Sequence, residues 1–333
     1  MSTDRTVLDV RDLRVRFVGA GAGTEVVRGI SFRLKQGDTL AVVGESGSGK
    51  SVSLRAVMRL LPPRRAKTTG SVRLEDQELL TLPEDQLARI RGRDMAMIFQ
   101  EPALAFDPVF PIGYQIIETI RQHTGVDHAT ARSRALELLE QVQIPSPRNR
   151  LESYPHEMSG GMLQRAMIAV ALCCRPKLLI ADEPTTALDA TVQVQILLLL
   201  RQLQRAYDMA VIFVTHDIGV AVEMADRVSV MYAGQFVESA PVRQILRGAR
   251  HPYSRGLLDS TITNDKLGKR LIPIGGSPPD PAAPMPGCAF APRCGLKLAH
   301  CDGHAPETIQ VAEEHQVRCH LVQDERTSSG FAN

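Results

Sequence analysis

Residues 39–51 read Thr39-Leu40-Ala41-Val42-Val43-Gly44-Glu45-Ser46-Gly47-Ser48-Gly49-Lys50-Ser51. The opening five residues predict a short buried strand, and the glycine-rich segment after them predicts a tight loop. Ser51 to Leu61 then carries a helical pattern that Pro62-Pro63 is expected to stop. Strand, glycine loop and helix in succession are the context of a phosphate cradle. Gly44, Gly47 and Gly49 let the backbone N–H groups around Glu45, Ser46 and Ser48 turn toward phosphate oxygens. The helix start adds its positive end. Lys50 supplies a full charge to the β- and γ-phosphates, and the Ser51 hydroxyl can ligate Mg2+. The bland alternative is a glycine-rich turn that merely precedes a helix. The eight-residue match in this context favours nucleotide binding.

Working outward, Val7–Val18 and Val26–Lys35 read as strands with the glycine-rich stretch Gly19–Gly23 between them. Met95–Phe99 reads as a strand ending at Gln100, and the pattern from there to about residue 175 is helical, clearest over Ala129–Val142 and Gly160–Leu172. Lys177–Ala181, Ala210–Val214 and Arg227–Met231 are short apolar runs that alternate with helices, which predicts an α/β fold with a mostly parallel sheet. The run from Leu178 to Ala181 sets Asp182 and Glu183 at the end of a buried strand. One carboxylate can hold Mg2+ and the other can polarise an attacking water. A strand-end turn before Pro184 would explain the two acids alone, but not with the cradle upstream. Ser159-Gly160-Gly161 reads as a helix N-cap and first turn, and a helix N-terminus is also what an anion needs.

Composition sets the bounds. The chain has 333 residues, enough for one large domain and a smaller one. Its net charge of +2, from 39 basic and 37 acidic residues, gives no nucleic-acid footprint. There is no basic segment followed by an apolar one at the start, so no secretory signal is expected. No apolar run reaches the roughly 18 residues of a spanning helix. The expectation is a soluble chain that meets a membrane through partners. No internal repeat is evident, so one nucleotide cassette is expected per chain.

The cradle at 44–51, the run Ser159-Gly160-Gly161-Met162-Leu163-Gln164, the strand ending in Asp182-Glu183, and His216-Asp217 follow one another in an order that resembles the ATP-binding subunits of ABC transporters. The resemblance covers about residues 6–245. It implies a P-loop NTPase cassette over 1–245, with a RecA-like, mostly parallel sheet, an antiparallel β subdomain and a helical subdomain at about 101–175. Residues 246–333 form a C-terminal extension. It implies ATP and Mg2+ as ligands, the metal held through Ser51, Gln100 and Asp182. Glu183 and His216 take catalytic roles. Phe17 stacks on adenine, and Gln100 senses the nucleotide. Ala187-Leu188-Asp189 matches the D-loop. Ser159, Gly160, Gly161, Met162, Gln164 and Asp189 complete the site of a second subunit, because two cassettes close head to tail over two ATPs. Met158 replaces the usual leading leucine of the signature, an apolar change expected to be tolerated.

A finer similarity, to the D-type ATPase subunit of dipeptide/oligopeptide importers, rests on several segments: Tyr154-Pro155-His156, Arg175-Pro176-Lys177, Ala181 to Asp189, Met231-Tyr232-Ala233-Gly234-Gln235 and His251-Pro252-Tyr253. It departs from that group at Glu157, where Gln is common, and at Asp107-Pro108, where Asn-Pro is common. It implies a second, different ATPase chain, two transmembrane permease subunits, an extracytoplasmic substrate-binding protein, and a peripheral position on the cytoplasmic face of the inner membrane. Relatives of this group carry nickel chelates, glutathione, haem and other small solutes, so those substrates stand as alternatives to peptides. A soluble ABC ATPase acting on ribosomes or DNA is the competing class. Such proteins carry two cassettes in one chain or a long coiled-coil insertion, and this chain has neither.

The tail is set off by Pro273, Pro278, Pro279, Pro281, Pro284 and Pro286, which predict an extended segment. Beyond it, Cys288, Cys294, Cys301 and Cys319 are spaced C-x5-C-x6-C-x17-C. That spacing matches neither zinc ribbons nor ferredoxins. The count suits Zn2+ or a [4Fe–4S] cluster, and the resemblance implies the cluster, with zinc as runner-up. His300, His304, His315 and His320 read as surface residues, and Cys173 and Cys174 as small core residues.

Overall fold

In a computed structural model of the chain, residues 5–18, 23–186, 188–260 and 273–329 are described. Residues 19–22 of the predicted glycine-rich stretch and Ala187 of the D-loop lie outside them. In chain order, β1 (Thr6–Phe17), β2 (Thr24–Lys35), β3 (Thr39–Val43), α1 (Lys50–Val57), β4 (Ala66–Leu74), β5 (Gln77–Glu78), α2 (Glu84–Ile90) and β6 (Met95–Ile98) come first. Next are α3 (Ile112–Thr124), α4 (His128–Gln141), α5 (Pro147–Arg150), α6 (Gly160–Leu172), β7 (Leu178–Asp182), α7 (Ala190–Tyr207), β8 (Ala210–Thr215), α8 (Ile218–Met224), β9 (Arg227–Tyr232) and β10 (Gln235–Pro241). The chain closes with α9 (Val242–Gly248), α10 (Pro252–Asp259), β11 (Ile309–Ala312), β12 (His315–Val317) and α11 (His320–Ser329). The expected strands fall within two residues of these bounds.

The helix after the cradle is shorter than expected. It stops at Val57, not at Pro62. Arg59 takes φ 51°, its N–H donates to the Ala56 carbonyl (3.0 Å), and the Leu60 N–H reaches back to Arg55 (2.7 Å). Those paired bonds are the left-handed closure that satisfies the last carbonyls of a helix, so the helix ends itself before the prolines.

The chain divides into two compact units. The first holds 1–8, 34–38 and 81–212. In it β6 and β7 pair in parallel, Met95 opposite Leu178 through Ile98 opposite Ala181. α3, α4 and α6 pack on one another through Ile116, Ile120, Ala135, Leu139 and Met167. The Asp127 carboxylate caps α4 by accepting from the Thr130 N–H at 3.0 Å.

The second unit holds 9–33, 39–80 and 213–333. One sheet runs β2–β1–β4–β5; a second takes the order β11–β12–β10–β9–β3, parallel only between β9 and β3. The tail is not a separate appendage of this unit. Its strand β12 pairs with β10, and Tyr253, Leu257 and Phe290 join a core with Val43, Val228, Val230 and Tyr232.

A buried carboxylate fastens that junction. Glu238 of β10 accepts from the backbone N–H groups of Arg250 (2.7 Å) and His251 (2.9 Å) and lies 2.8 Å from His315 Nε2. His315 is therefore buried, against the expectation of a surface histidine. The signal was not in its neighbours, since its partner is 77 positions away. Burial pushes the Glu238 carboxyl up, but the His315 and backbone hydrogen bonds outweigh it and hold it below the ordinary carboxylate range. Burial lowers the His251 imidazole to about 4. Between pH 6.5 and 4 the unfolded chain takes up a proton that folded His251 refuses, so stability falls as pH falls through that window, and protonation of Glu238 adds to the loss below it. Urea midpoints are expected to drop from pH 7 to pH 4.5. His251→Asn, whose amide oxygen can still accept from the Tyr253 N–H, should flatten the slope; equal slopes would refute this assignment.

Candidate functional site

The cradle is built in the second unit by β3, α1 and the β9–β10 turn. β3 is buried along its whole length and delivers Gly44 against the carbonyl of Met231, where any Cβ would clash. Gly49, the N-cap of α1, takes φ 103°, and Gly47 takes φ 78° and faces open space. The Gly234 N–H donates to Ser48 O at 2.8 Å and pins the loop from outside. Lys50 is 5% exposed, and its Nζ donates to the carbonyls of Gly44 (2.7 Å) and Glu45 (3.0 Å). The loop thus curls around an ammonium, with Glu45, Ser46 and Gly47 on its outer side and Ser51 in the first turn of the helix. The buried Ser48 hydroxyl has no hydrogen-bond partner among the described residues, a donor and acceptor left for a polar ligand. This set fits a polyphosphate. Phe17 is half-buried at the end of β1, and His216 is exposed one residue beyond β8.

The first unit carries the second set. Asp182 is 1% exposed at the end of β7. Glu183 follows in left-handed backbone, φ 46°, a conformation that costs energy for a residue with a Cβ. Its Oε2 accepts from Gln100 Nε2 at 3.4 Å and from Thr186 Oγ1 at 2.9 Å. Gln100 and Glu183, predicted from separate motifs, therefore meet. Thr186 is a site residue that the sequence reading did not single out; the only signal was its place three residues after the acid. Asp182 and Gln100 offer hard oxygen donors of the kind Mg2+ takes.

Ser159 and Gly160 are exposed at the start of α6, and the Ser159 hydroxyl accepts from the Met162 N–H at 3.4 Å. Gly161 leaves no spare room beside Val192 of α7. Met158 is buried, so an apolar side chain there suffices. Asp189 caps α7 through the Val192 N–H at 3.0 Å. Gln164 is the buried member of this set. It lies one turn beyond Gly160 on the same face of α6, is 1% exposed, and its Nε2 has no hydrogen-bond partner among the described residues.

Comparison with known proteins agrees with this geometry. The family profile described as ABC transporter matches residues 27–186, and the one described as oligopeptide/dipeptide transporter, C-terminal region, matches residues 237–301. The chain is 46% identical over 321 residues to the dipeptide transport ATP-binding protein DppD of Bacillus subtilis, covering 96% of each. The chain belongs to the ABC transporter ATP-binding proteins. It is 48% identical over 315 residues to the oligopeptide transport ATP-binding protein OppD of Mycobacterium tuberculosis, 94% of this chain and 51% of that protein. The dimeric bacterial ABC transporter cassette MJ0796 superposes with a TM-score of 0.64 at 26% identity, covering 71% of this chain and 99% of that one. The α/β cassette fold is thus the one the motifs implied, and the chain is an ATP hydrolase of the transport class.

In this ABC protein the tail also grips the cradle. Arg293 makes a two-pronged ion pair with Glu45, at 2.6 and 2.9 Å, with its own side chain 4% exposed. Tyr253 OH accepts from the Glu45 N–H at 2.9 Å. Tyr232, Tyr253 and Phe290 pack their rings 4.6 to 5.3 Å apart beneath the pair. The Glu45 carboxylate raises the Arg293 guanidinium, and burial raises both tyrosines. Pro278, Pro279 and Met285 flank Ser46 and Gly47, and Arg28 donates to the Pro281 carbonyl at 3.1 Å.

As they stand, the four tail cysteines form no metal site. Cys301 and Cys319 are buried, Cys288 and Cys294 half-buried, and the Cys288 N–H donates to Cys301 O at 2.8 Å. Burial raises the thiols of Cys288 and Cys294 and pushes Cys319 to about 11. Among the described residues no three His, Cys, Asp or Glu side chains are arranged to hold a metal ion. Folding brings the thiols into electrostatic reach of one another without forming such a set.

Arg293→Ala removes a charge-assisted hydrogen-bonded pair. It is expected to destabilise the second unit by about 1–3 kcal/mol and to speed amide exchange across 44–48. Unchanged exchange there would mean that the loop holds its shape without the tail.

Proposed function

We propose that this chain is the ATPase subunit of an importer for dipeptides or oligopeptides, in which ATP hydrolysis drives uptake across the cytoplasmic membrane. The observation that carries the ATPase part is the Lys50-centred loop with Gly44, Gly47 and Gly49 at positions that exclude side chains or require positive φ. Peptide as substrate is supported by the extent of the likeness to peptide transport ATP-binding proteins, which runs through the tail.

The roles follow from chemistry. Lys50 and the loop amides offset the charge of the β- and γ-phosphates, and Phe17 stacks on the base. Ser51, Gln100 and Asp182 would hold Mg2+, which supplies charge neutralisation on the phosphates when bound. Glu183, steadied by Gln100 and Thr186, takes the proton of the attacking water. His216 contacts the γ-phosphate end. Ser159, Gly160, Gly161, Met162 and Gln164 face a second ATPase subunit and complete its site, with Asp189 lining the same approach. Residues 1–245 form the cassette and 246–333 the extension.

No helix among the described residues is long and apolar enough to cross a membrane. Two permease subunits would provide the pathway and a binding protein the substrate. Leu104 (79% exposed), Val109, Phe110 and Tyr114 present an apolar surface in the helical part of the first unit, with the Phe110 and Tyr114 rings stacked at 4.8 Å. That patch suits a permease segment and supports a peripheral position on the cytoplasmic face. For the tail we propose soft-metal ligation by Cys288, Cys294, Cys301 and Cys319, iron–sulfur ahead of zinc. Four soft donors brought into one neighbourhood support it.

Glu183→Gln is expected to keep ATP binding while slowing turnover by roughly 10²–10⁴-fold, whereas Lys50→Ala should lose nucleotide affinity in a direct titration. Unchanged turnover in the first, or retained affinity in the second, would remove that residue from its role. Iron, sulfide and zinc content of the anaerobically purified chain decides the tail. About four irons and four sulfides would establish the cluster, and no metal would leave the tail a packed clamp on the cradle.

A further inference from the structure

α6 ends at Leu172, and the next two residues are both cysteine. Cys173 closes the helix in right-handed helical backbone, and Arg175, at φ 52°, turns the chain toward β7. The two thiols are thereby left side by side, Sγ to Sγ 3.7 Å. They are not core residues, as the sequence suggested, but half-buried, and both line a cleft of about 310 Å³ in the first unit. That volume lies at the lower end of small-molecule sites. None of the nucleotide residues lines it.

The cleft is asymmetric in charge. Arg134 of α4 and Arg175 line it with Tyr207 of α7, and the Arg175 guanidinium lies 5.6 Å from the centre of the Tyr207 ring. Glu137 also lines it; outside the lining, Arg93, paired with Asp94 at 2.5 Å, favours the Cys174 thiolate and Asp94 opposes it. The hydrogen bond from Cys173 favours the thiolate of Cys174, with Arg134 and Arg93 adding to it against burial, and the Cys173 thiol is raised in return. A stabilised, accessible thiolate is the reactive form of cysteine.

We propose that Cys173 and Cys174 form a thiol–disulfide exchange site, independent of the nucleotide chemistry, that accepts a small disulfide bearing carboxylates and keeps one half of it on Cys174. The Cys174 thiolate attacks one sulfur of the disulfide. The Cys174 Sγ–S bond forms, the original S–S bond breaks, and the other half leaves as a thiolate with the electron pair. The small disulfide is itself the oxidant, so no further reactant is needed. Arg134 and Arg175 bind the carboxylates of the retained half in the cleft. Cys173 is a positioning residue, donating to the attacking thiolate. The adduct would sit where α6, capped at its start by Ser159, hands the chain to β7, which ends at Asp182.

The test uses the reduced full chain with oxidised glutathione, hydroxyethyl disulfide and cystamine as carboxylate-bearing, uncharged and amine-bearing probes. Adducts are followed by intact mass and peptide mapping. With oxidised glutathione, Cys174 is expected to react about 10-fold or more faster than Cys288 or Cys294, and faster than with cystamine. Arg134→Ala should erase the charge ranking. Cys173→Ser should keep the pH midpoint of the reaction near that of the parent, and Cys173→Ala should move it upward. No adduct on Cys174, equal rates with the three probes, or closure to a Cys173–Cys174 disulfide without a retained adduct would overturn the proposal. The probe ranking is read on the unmodified sequence, so the test survives any variant that fails to fold.

Discussion

A nearly buried ammonium organises the cradle. Lys50 has little water around it, and a desolvated charge is tolerable only where dipoles or counter-charges surround it. The carbonyls of Gly44 and Glu45 supply those dipoles, which requires the loop to turn back over the start of its own helix. That turn needs positive φ at Gly47 and Gly49 and no side chain at Gly44, because the Met231 carbonyl of β9 lies against it. The parallel pairing of β3 with β9 puts that carbonyl there. The loop is therefore a consequence of sheet register as much as of its own glycines. Glu45, whose carbonyl serves Lys50, is held in turn by Tyr253 and Arg293 of the tail.

Several motif residues carry two loads at once. Ser159, Asp189 and Asp217 each accept backbone N–H groups at the start of α6, α7 and α8. The reading of Ser159 as an ordinary helix cap and its reading as a phosphate contact are compatible, because a helix N-terminus offers the same donors to a side chain or to an anion. Glu183 differs. It pays in backbone strain for its position, and Gln100 and Thr186 orient its carboxylate. In the base role proposed for Glu183, that conformation and those two neutral donors would hold the carboxylate toward a single water.

The tail binds the second unit in two ways. Its strand β12 extends the sheet from β10, where Glu238 gathers His315, His251 and Arg250, and its aromatic cluster underlies the Arg293–Glu45 pair. An extension that first looks like an added module thus shares a core with β3, the strand that leads into the cradle loop. The pair that ties them is of the stronger kind, a two-pronged guanidinium–carboxylate contact in which two N–H groups donate to one carboxylate.

The sequence alone determined the cradle, the buried strand ending in Asp182-Glu183, the order of the motifs and the bounds of most strands, because each depends on local periodicity and on residues that are adjacent in the chain. It did not determine where the helix after Lys50 stops, since a left-handed closure at Arg59 ended it before the prolines that are visible as stop signals. Tertiary structure also decided that Gln164 is buried, that His315 is buried on Glu238, and that Cys173 and Cys174 face a cleft. It decided that the four tail thiols share a neighbourhood without forming a ligand set, and that Arg293 reaches Glu45 across 248 positions. These are facts about which surfaces meet after folding, and spacing along the chain does not encode the direction in which a side chain points.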